Sequence, residues 1–138
     1  MQQAKKVLIV EDSDVQADML ESILDDLGIR NVTKAINGIH ALENFEKALL
    51  SGTAYSLVFL DIVMPEMDGQ EALKRMRALE KEAGVGGNDK TTIIMITSLS
   101  SPKDMITALI EGDCTDYVVK PVAESVLRAM LIKYGLIE

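Results

Sequence analysis

Three acids, one lysine and a Thr-Ser pair stand directly behind short apolar runs, where a chain leaves a buried strand. Glu11 and Asp12 follow Val7-Leu8-Ile9-Val10, and Asp61 follows Leu57-Val58-Phe59-Leu60. Thr97-Ser98 close Ile93-Ile94-Met95-Ile96, and Lys120-Pro121 close Val118-Val119. Carboxylates brought together repel one another and raise one another's pKa unless a cation joins them. Oxygen-only ligands on a shallow surface suit a hard ion, with magnesium the physiological choice and manganese a substitute. An aspartate in such a place can attack phosphorus and hold an acyl phosphate. A metal ion and an ammonium would neutralise the phosphoryl oxygens, and a threonine hydroxyl could hydrogen-bond one of them.

Each residue also has a plainer reading. Glu11 and Asp12 stand where a helix begins, and acids cap helices well. A lysine after a strand commonly snorkels to solvent. Thr97 can be a satisfied strand-end hydroxyl and Tyr117 a core aromatic. Asp61 is harder to dismiss, because a carboxylate ending so apolar a run sits where desolvation is costly.

The elements that must position these residues alternate along the chain. Apolar, β-branched runs predict strands at about residues 6–10, 32–36, 56–60, 92–96 and 115–119. Val15, Met19, Ile23 and Leu27 recur every fourth residue and read as one face of a first helix, with Gly28 as its cap. The second helix carries Ile39, Leu42, Phe45 and Leu49. The third, at about 69–83, carries Ala72, Met76 and Leu79, and 84–89 reads as a flexible loop. Ser101-Pro102 starts the fourth helix, and the last bears Val126, Leu127, Met130 and Leu131. Five strand–helix pairs imply an α/β fold with a parallel sheet and helices on both faces. Ligands collect at the carboxyl ends of such strands, where the first and third are neighbours.

Composition narrows the function. The 138 residues suit a single domain over 1–138, with a core at about 5–134 and no room for an output domain. Fourteen basic against 22 acidic residues give a net charge of -8 with no basic run, which argues against direct nucleic-acid binding. No apolar run is long enough to span a membrane. The single cysteine, Cys114, precludes an internal disulfide, suits a reducing cytoplasm and reads as a small buried hydrophobe. His40, near the start of the second helix, is assigned to solvent. Met19, Met76 and Met130 are assigned to helix core faces.

Val10-Glu11-Asp12-Ser13, then the block Asp61-Ile62-Val63-Met64-Pro65-Glu66-Met67-Asp68-Gly69, then Thr97-Ser98, then Asp116-Tyr117-Val118-Val119-Lys120-Pro121, cover nearly the whole chain. Together they resemble the receiver domain of two-component response regulators, of the stand-alone chemotaxis-regulator type. The resemblance implies a flavodoxin-like, doubly wound (βα)5 fold with strand order 2-1-3-4-5. It implies Asp61 as phosphoacceptor and Asp12 as the direct Mg2+ ligand. Glu11 would hold the ion mainly through water, and the Val63 backbone carbonyl would be a further ligand. Lys120 would bridge Asp61 and then the phosphoryl group, with a cis bond to Pro121. Val63, Met64, Ser98 and Pro121 would line the phosphoryl pocket, and Thr97 with Tyr117 would form the switch. Implied partners are a sensor histidine kinase or histidine phosphotransfer protein. A downstream protein would bind the face of the fourth helix, fifth strand and fifth helix. The only catalysis implied is of the domain's own phosphorylation and dephosphorylation.

Some features depart from that pattern. Asp113-Cys114 replaces the usual Gly-Ala, with the glycine one place earlier at Gly112, and the usual proline before the fourth strand is missing. Val63 is apolar where a polar side chain would orient attacking water, which implies a persistent phosphoryl state. A haloacid-dehalogenase-type phosphatase would need a second Asp at position 63. A receiver-like module that only binds partners would not need all five polar positions.

Overall fold

The computed structural model describes residues 5–138, so residues 1–4 of the expected domain lie outside it. In chain order the elements are β1 (Lys6–Val10), α1 (Asp14–Asp26), β2 (Asn31–Ala35), α2 (Gly38–Leu50), β3 (Leu57–Leu60) and α3 (Gly69–Glu82). They continue with β4 (Thr92–Thr97), α4 (Pro102–Ile106), β5 (Asp116–Val119) and α5 (Glu124–Lys133). All neighbouring strands are parallel, in the order β2-β1-β3-β4-β5. This is the doubly wound order that the family resemblance implies. The strands start or end within a residue of their predicted places, and residues 87–89 of the presumed loop form a 3-10 turn.

The central strands bury both faces, which is why they read as continuous apolar runs rather than alternating ones. Leu8, Val10, Val58, Leu60, Ile93 and Met95 pack under α2 and α3. Val7, Ile9, Leu57, Phe59, Ile94 and Ile96 face α1 and α5 on the other side. Four helix starts are fixed by short polar caps: Ser13, Asn37, Asp68 and Ser101 each accept a backbone N–H three residues on.

The helix faces need correction. In α1 the buried stripe is Ala17, Leu20 and Leu24, whereas Val15 and Met19 are 69% and 62% exposed. An α-helix has 3.6 residues per turn. A strict every-fourth repeat therefore drifts about 40° per step and leaves the buried face. Met19 is thus not a core residue, although Met76 is. Ile39 at the start of α2 and Val126 in α5 are likewise exposed, while Phe45, Leu127 and Leu131 are buried. His40 is exposed, as expected.

The fourth helix was read from the sequence only at its start. It begins as the Ser101-Pro102 cap dictates, then changes to a π-helical turn over Thr107–Glu111. A Cβ on Gly112 would lie 2.4 Å from Leu73 Cδ2, so glycine there permits a close approach to α3. The left-handed residue is the next one, Asp113, at φ 57°. Its carbonyl accepts from Arg77 Nε at 2.9 Å, and its carboxylate pairs with Lys90 at 2.5 Å. Aspartate tolerates this conformation better than most side chains, less well than glycine.

Candidate functional site

The sheet register assembles the site. Val10 pairs with Leu60, so the next residues on the two strands, Glu11 and Asp61, emerge side by side at the carboxyl edge. The Asp61 N–H donates to the Val10 carbonyl at 3.1 Å. Thr97 pairs with Val119, and the Lys120 N–H donates to the Thr97 carbonyl at 2.8 Å, which brings Lys120 to the same edge.

Glu11 and Asp61 are 7% and 6% exposed, and Asp12 is open to solvent. One carboxylate oxygen from each of the three lies within 4.8 Å of the others. Capping does not explain the acids at positions 11 and 12. The α1 cap is Ser13, whose hydroxyl accepts the Gln16 N–H at 3.3 Å. Glu11 instead uses Oε2 to accept the Ser13 N–H at 3.2 Å and Oε1 to accept from Lys120 at 2.5 Å. Asp61 accepts the Val63 N–H on Oδ1 at 3.1 Å and the Lys120 ammonium on Oδ2 at 2.7 Å. The bond from Lys120 to Pro121 is cis.

Burial holds the Glu11 carboxyl above its ordinary pKa, against the lowering effect of Lys120. For Lys120 burial is the largest single influence and pulls its pKa down. The hydrogen bonds and charges of Asp61 and Glu11 together outweigh it, so the ammonium is held more firmly than usual. The lysine is therefore no solvent-directed tether. The donor set is entirely oxygen, of two buried carboxylates and one exposed, which fits a hard divalent ion such as Mg2+.

Thr97 is fully buried and Tyr117 is 8% exposed. Thr97 Oγ1 accepts the Leu99 N–H at 3.4 Å, and the Tyr117 hydroxyl donates to the Leu99 carbonyl at 2.9 Å. The Tyr117 ring thus sits inward, and burial, followed by the charge of Asp104, pushes its pKa up to about 12. Both residues converge on the backbone of Leu99, which sequence reasoning did not single out. Ser98 and Pro121 are exposed near Asp61 and Lys120, Met64 is buried, and Val63 is 53% exposed. Gln16 was also missed. Its side-chain carbonyl accepts the third Lys120 proton, and a first-turn polar residue gives no signal of that in the sequence.

The end of the Asp61 block explains its glycine. A Cβ on Gly69 would stand 2.1 Å from the Asp61 carbonyl oxygen, and the Gly69 N–H bonds the Ile62 carbonyl at 2.9 Å. The loop folds back on the strand end so closely that only glycine fits.

The family model described as the response regulator receiver domain matches residues 7–132. The chain belongs to the receiver-domain family. Receiver domains are the phosphorylation-dependent signalling modules of two-component systems. Chemotaxis protein CheY of Bacillus subtilis is 33% identical over 128 residues, covering 92% of this chain and 95% of that protein. Hybrid signal transduction histidine kinase G of Dictyostelium discoideum is 36% identical over 134 residues, 96% of this chain. This chain spans 4% of that kinase and 7% of each of the hybrid kinases L and B of the same organism. Among solved structures, the CheX-CheY-BeF3-Mg2+ complex of Borrelia burgdorferi superposes with a TM-score of 0.78. Identity there is 26%, covering 94% of this chain and 89% of that one.

Proposed function

We propose that this receiver domain accepts a phosphoryl group on Asp61 and passes the signal through the α4-β5-α5 face. The observation that carries the reading is the Lys120 ammonium, seated on Asp61 Oδ2 and Glu11 Oε1 beside Asp12. One ammonium among three carboxylates leaves the site anionic, which calls for a further cation. Glu11, Asp12 and Asp61, with the Val63 carbonyl, would hold Mg2+, which would offset charge on the phosphoryl oxygens. That the Borrelia relative was captured with Mg2+ and BeF3 supports this assignment.

The Asp61 carboxylate oxygen attacks phosphorus, and the bond to the donor's leaving group breaks as the new acyl phosphate bond forms. Lys120 then moves from the carboxylate to a phosphoryl oxygen. A phosphohistidine of a sensor kinase or phosphotransfer protein is the donor that the family relationship favours.

Thr97 and Tyr117 would carry the change outward through Leu99. When the Thr97 hydroxyl turns to the phosphoryl group it releases the Leu99 N–H. The Leu99 carbonyl, still held by Tyr117, then shifts the approach to α4. Val63, exposed and apolar beside Asp61, offers no hydrogen bond to an attacking water. The phosphoryl state should therefore outlast removal of the donor by more than seconds.

The test is mass spectrometry after incubation with acetyl phosphate, with and without Mg2+, on the wild type and Asp61→Asn. One acid-stable, base-labile adduct requiring both Mg2+ and Asp61 is expected. No adduct under any condition would leave a receiver-shaped module that only binds partners.

A further inference from the structure

A closed hydrogen-bond circuit joins the start of α1 to the site. Glu11 Oε2 accepts the Ser13 N–H at 3.2 Å, and Ser13 Oγ accepts the Gln16 N–H at 3.3 Å. Gln16 Oε1 accepts from Lys120 Nζ, and Lys120 donates to Glu11 Oε1 at 2.5 Å. An ammonium has three protons, and here Glu11, Asp61 and Gln16 take one each. A cavity of about 410 Å3 beside Lys120 is lined on the α1 side by Met19, Leu20 and Ile23, and α1 contributes Gln16 to it as a polar side chain, with Glu11, Asp61 and Ser98 at the strand ends. From that side Gln16 supplies the acceptor.

From this geometry we propose that Gln16 is a positioning residue for phosphoryl transfer, holding the Lys120 ammonium through its third proton. The inference rests on Asp61 being the phosphoacceptor and adds a residue that this reading does not require. The choice of an amide has a physical basis. A lysine side chain has many rotamers, and two acceptors leave its ammonium free to pivot about the line joining them. A third acceptor fixes it, and an amide does so without adding a fourth negative charge to a site that must admit an anionic phosphoryl donor. The Ser13 cap fixes the Gln16 backbone, so the seat belongs to the helix rather than to a loop. When the phosphoryl group replaces Asp61 Oδ2 as acceptor, the Glu11 and Gln16 bonds can persist and aim the remaining proton at it.

The experiment compares wild type with Gln16→Met and Gln16→Glu. Methionine keeps the length and helix preference without the acceptor, and glutamate keeps the acceptor. The first readout needs no phosphorylation: the side-chain ammonium signal of Lys120 in protein labelled with 15N-lysine. It is expected to be sharp in the wild type, lost to fast exchange in Gln16→Met, and restored in Gln16→Glu. The second is the rate of Asp61 phosphorylation by acetyl phosphate at saturating Mg2+. It is expected to fall about fivefold in Gln16→Met, the effect of losing roughly one hydrogen bond, with an unchanged thermal midpoint. An unaltered Lys120 signal in Gln16→Met overturns the proposal. So does an altered signal with an unaltered rate. A wild type that takes no phosphoryl group overturns the phosphoacceptor reading itself, while the Lys120 signal still reports whether Gln16 seats the ammonium.

Discussion

At the scale of single residues, charge and close approach make opposite predictions for two parts of the Asp61 loop. Asp61→Asn removes one anion from a cluster of three and keeps an oxygen for the Val63 N–H. The variant should therefore fold at least as stably as the wild type without Mg2+, gain less from added Mg2+, and take no phosphoryl group. Thermal melts with and without Mg2+ check this; a large loss of stability would show Asp61 to be a structural residue. Gly69→Ala alters no polar group, yet its Cβ would collide with the Asp61 backbone. It should cost about 1–3 kcal/mol in urea denaturation, the range for overpacking, and impair phosphorylation by moving Asp61. The sequence showed the acids, the lysine and the glycine because their chemistry stands out against apolar runs. It could not show Gln16, Ser13 or Leu99 at work. Gln16 on α1 meets Lys120 just beyond β5, and Leu99 meets Thr97 and Tyr117 through backbone atoms, which have no sequence signature.

At the scale of elements, what was legible was the alternation of buried strands and amphipathic helices. The exact buried face was less so. In α1, apolar residues occur all around the helix, so the stripe through Val15 and Met19 competed with the true one through Ala17, Leu20 and Leu24. Leu24→Ala should cost about 2–5 kcal/mol, while Met19→Gln should stay within about 0.5 kcal/mol. Equal effects in denaturant titrations would contradict the observed rotation of α1. In α3 the reverse occurs, with a charged residue on the buried face. Glu80 is 1% exposed and joins Arg77 Nη1 at 2.7 Å to the Thr91 N–H at 2.7 Å. Arg77 also donates to the Thr91 and Asp113 carbonyls, tying α3 to the start of β4 and the far end of the π turn. Glu80→Ala would leave the Arg77 guanidinium without its carboxylate and the Thr91 N–H without an acceptor, and should cost about 3 kcal/mol by urea denaturation. The π turn itself was illegible. It follows from how Gly112 and Asp113 dock on α3, a tertiary constraint that helix propensity does not encode.

At the scale of the whole molecule, the chain's alternation gave a parallel sheet, the family resemblance implied its order, and the switch point between β1 and β3 is where the acids meet. The face proposed for output, α4-β5-α5, lies on the β4-β5 half of the sheet, and Cys114 is buried just before β5. Its N–H bonds the Ala108 carbonyl of the π turn at 3.0 Å, and the residue is 6% exposed. Burial, the main cause, raises the thiol pKa from 9.0 to about 11. Between those values the folded protein keeps a proton that the unfolded chain releases. This contribution to stability is therefore complete below about pH 9 and lost as pH rises through about 11. Reaction with iodoacetamide requires thiolate and access. At pH 8 the native protein should label only as fast as the molecule opens, and Leu24→Ala should speed labelling by the factor its lost stability sets. A phosphorylated or BeF3-treated sample tests the coupling across the sheet. If the signal reaches the output face by moving α4 over Cys114, the labelling rate should change with Mg2+ and BeF3 together and not with either alone. An unchanged rate alongside a confirmed Asp61 adduct would confine the switch to Leu99 and the edge of β5.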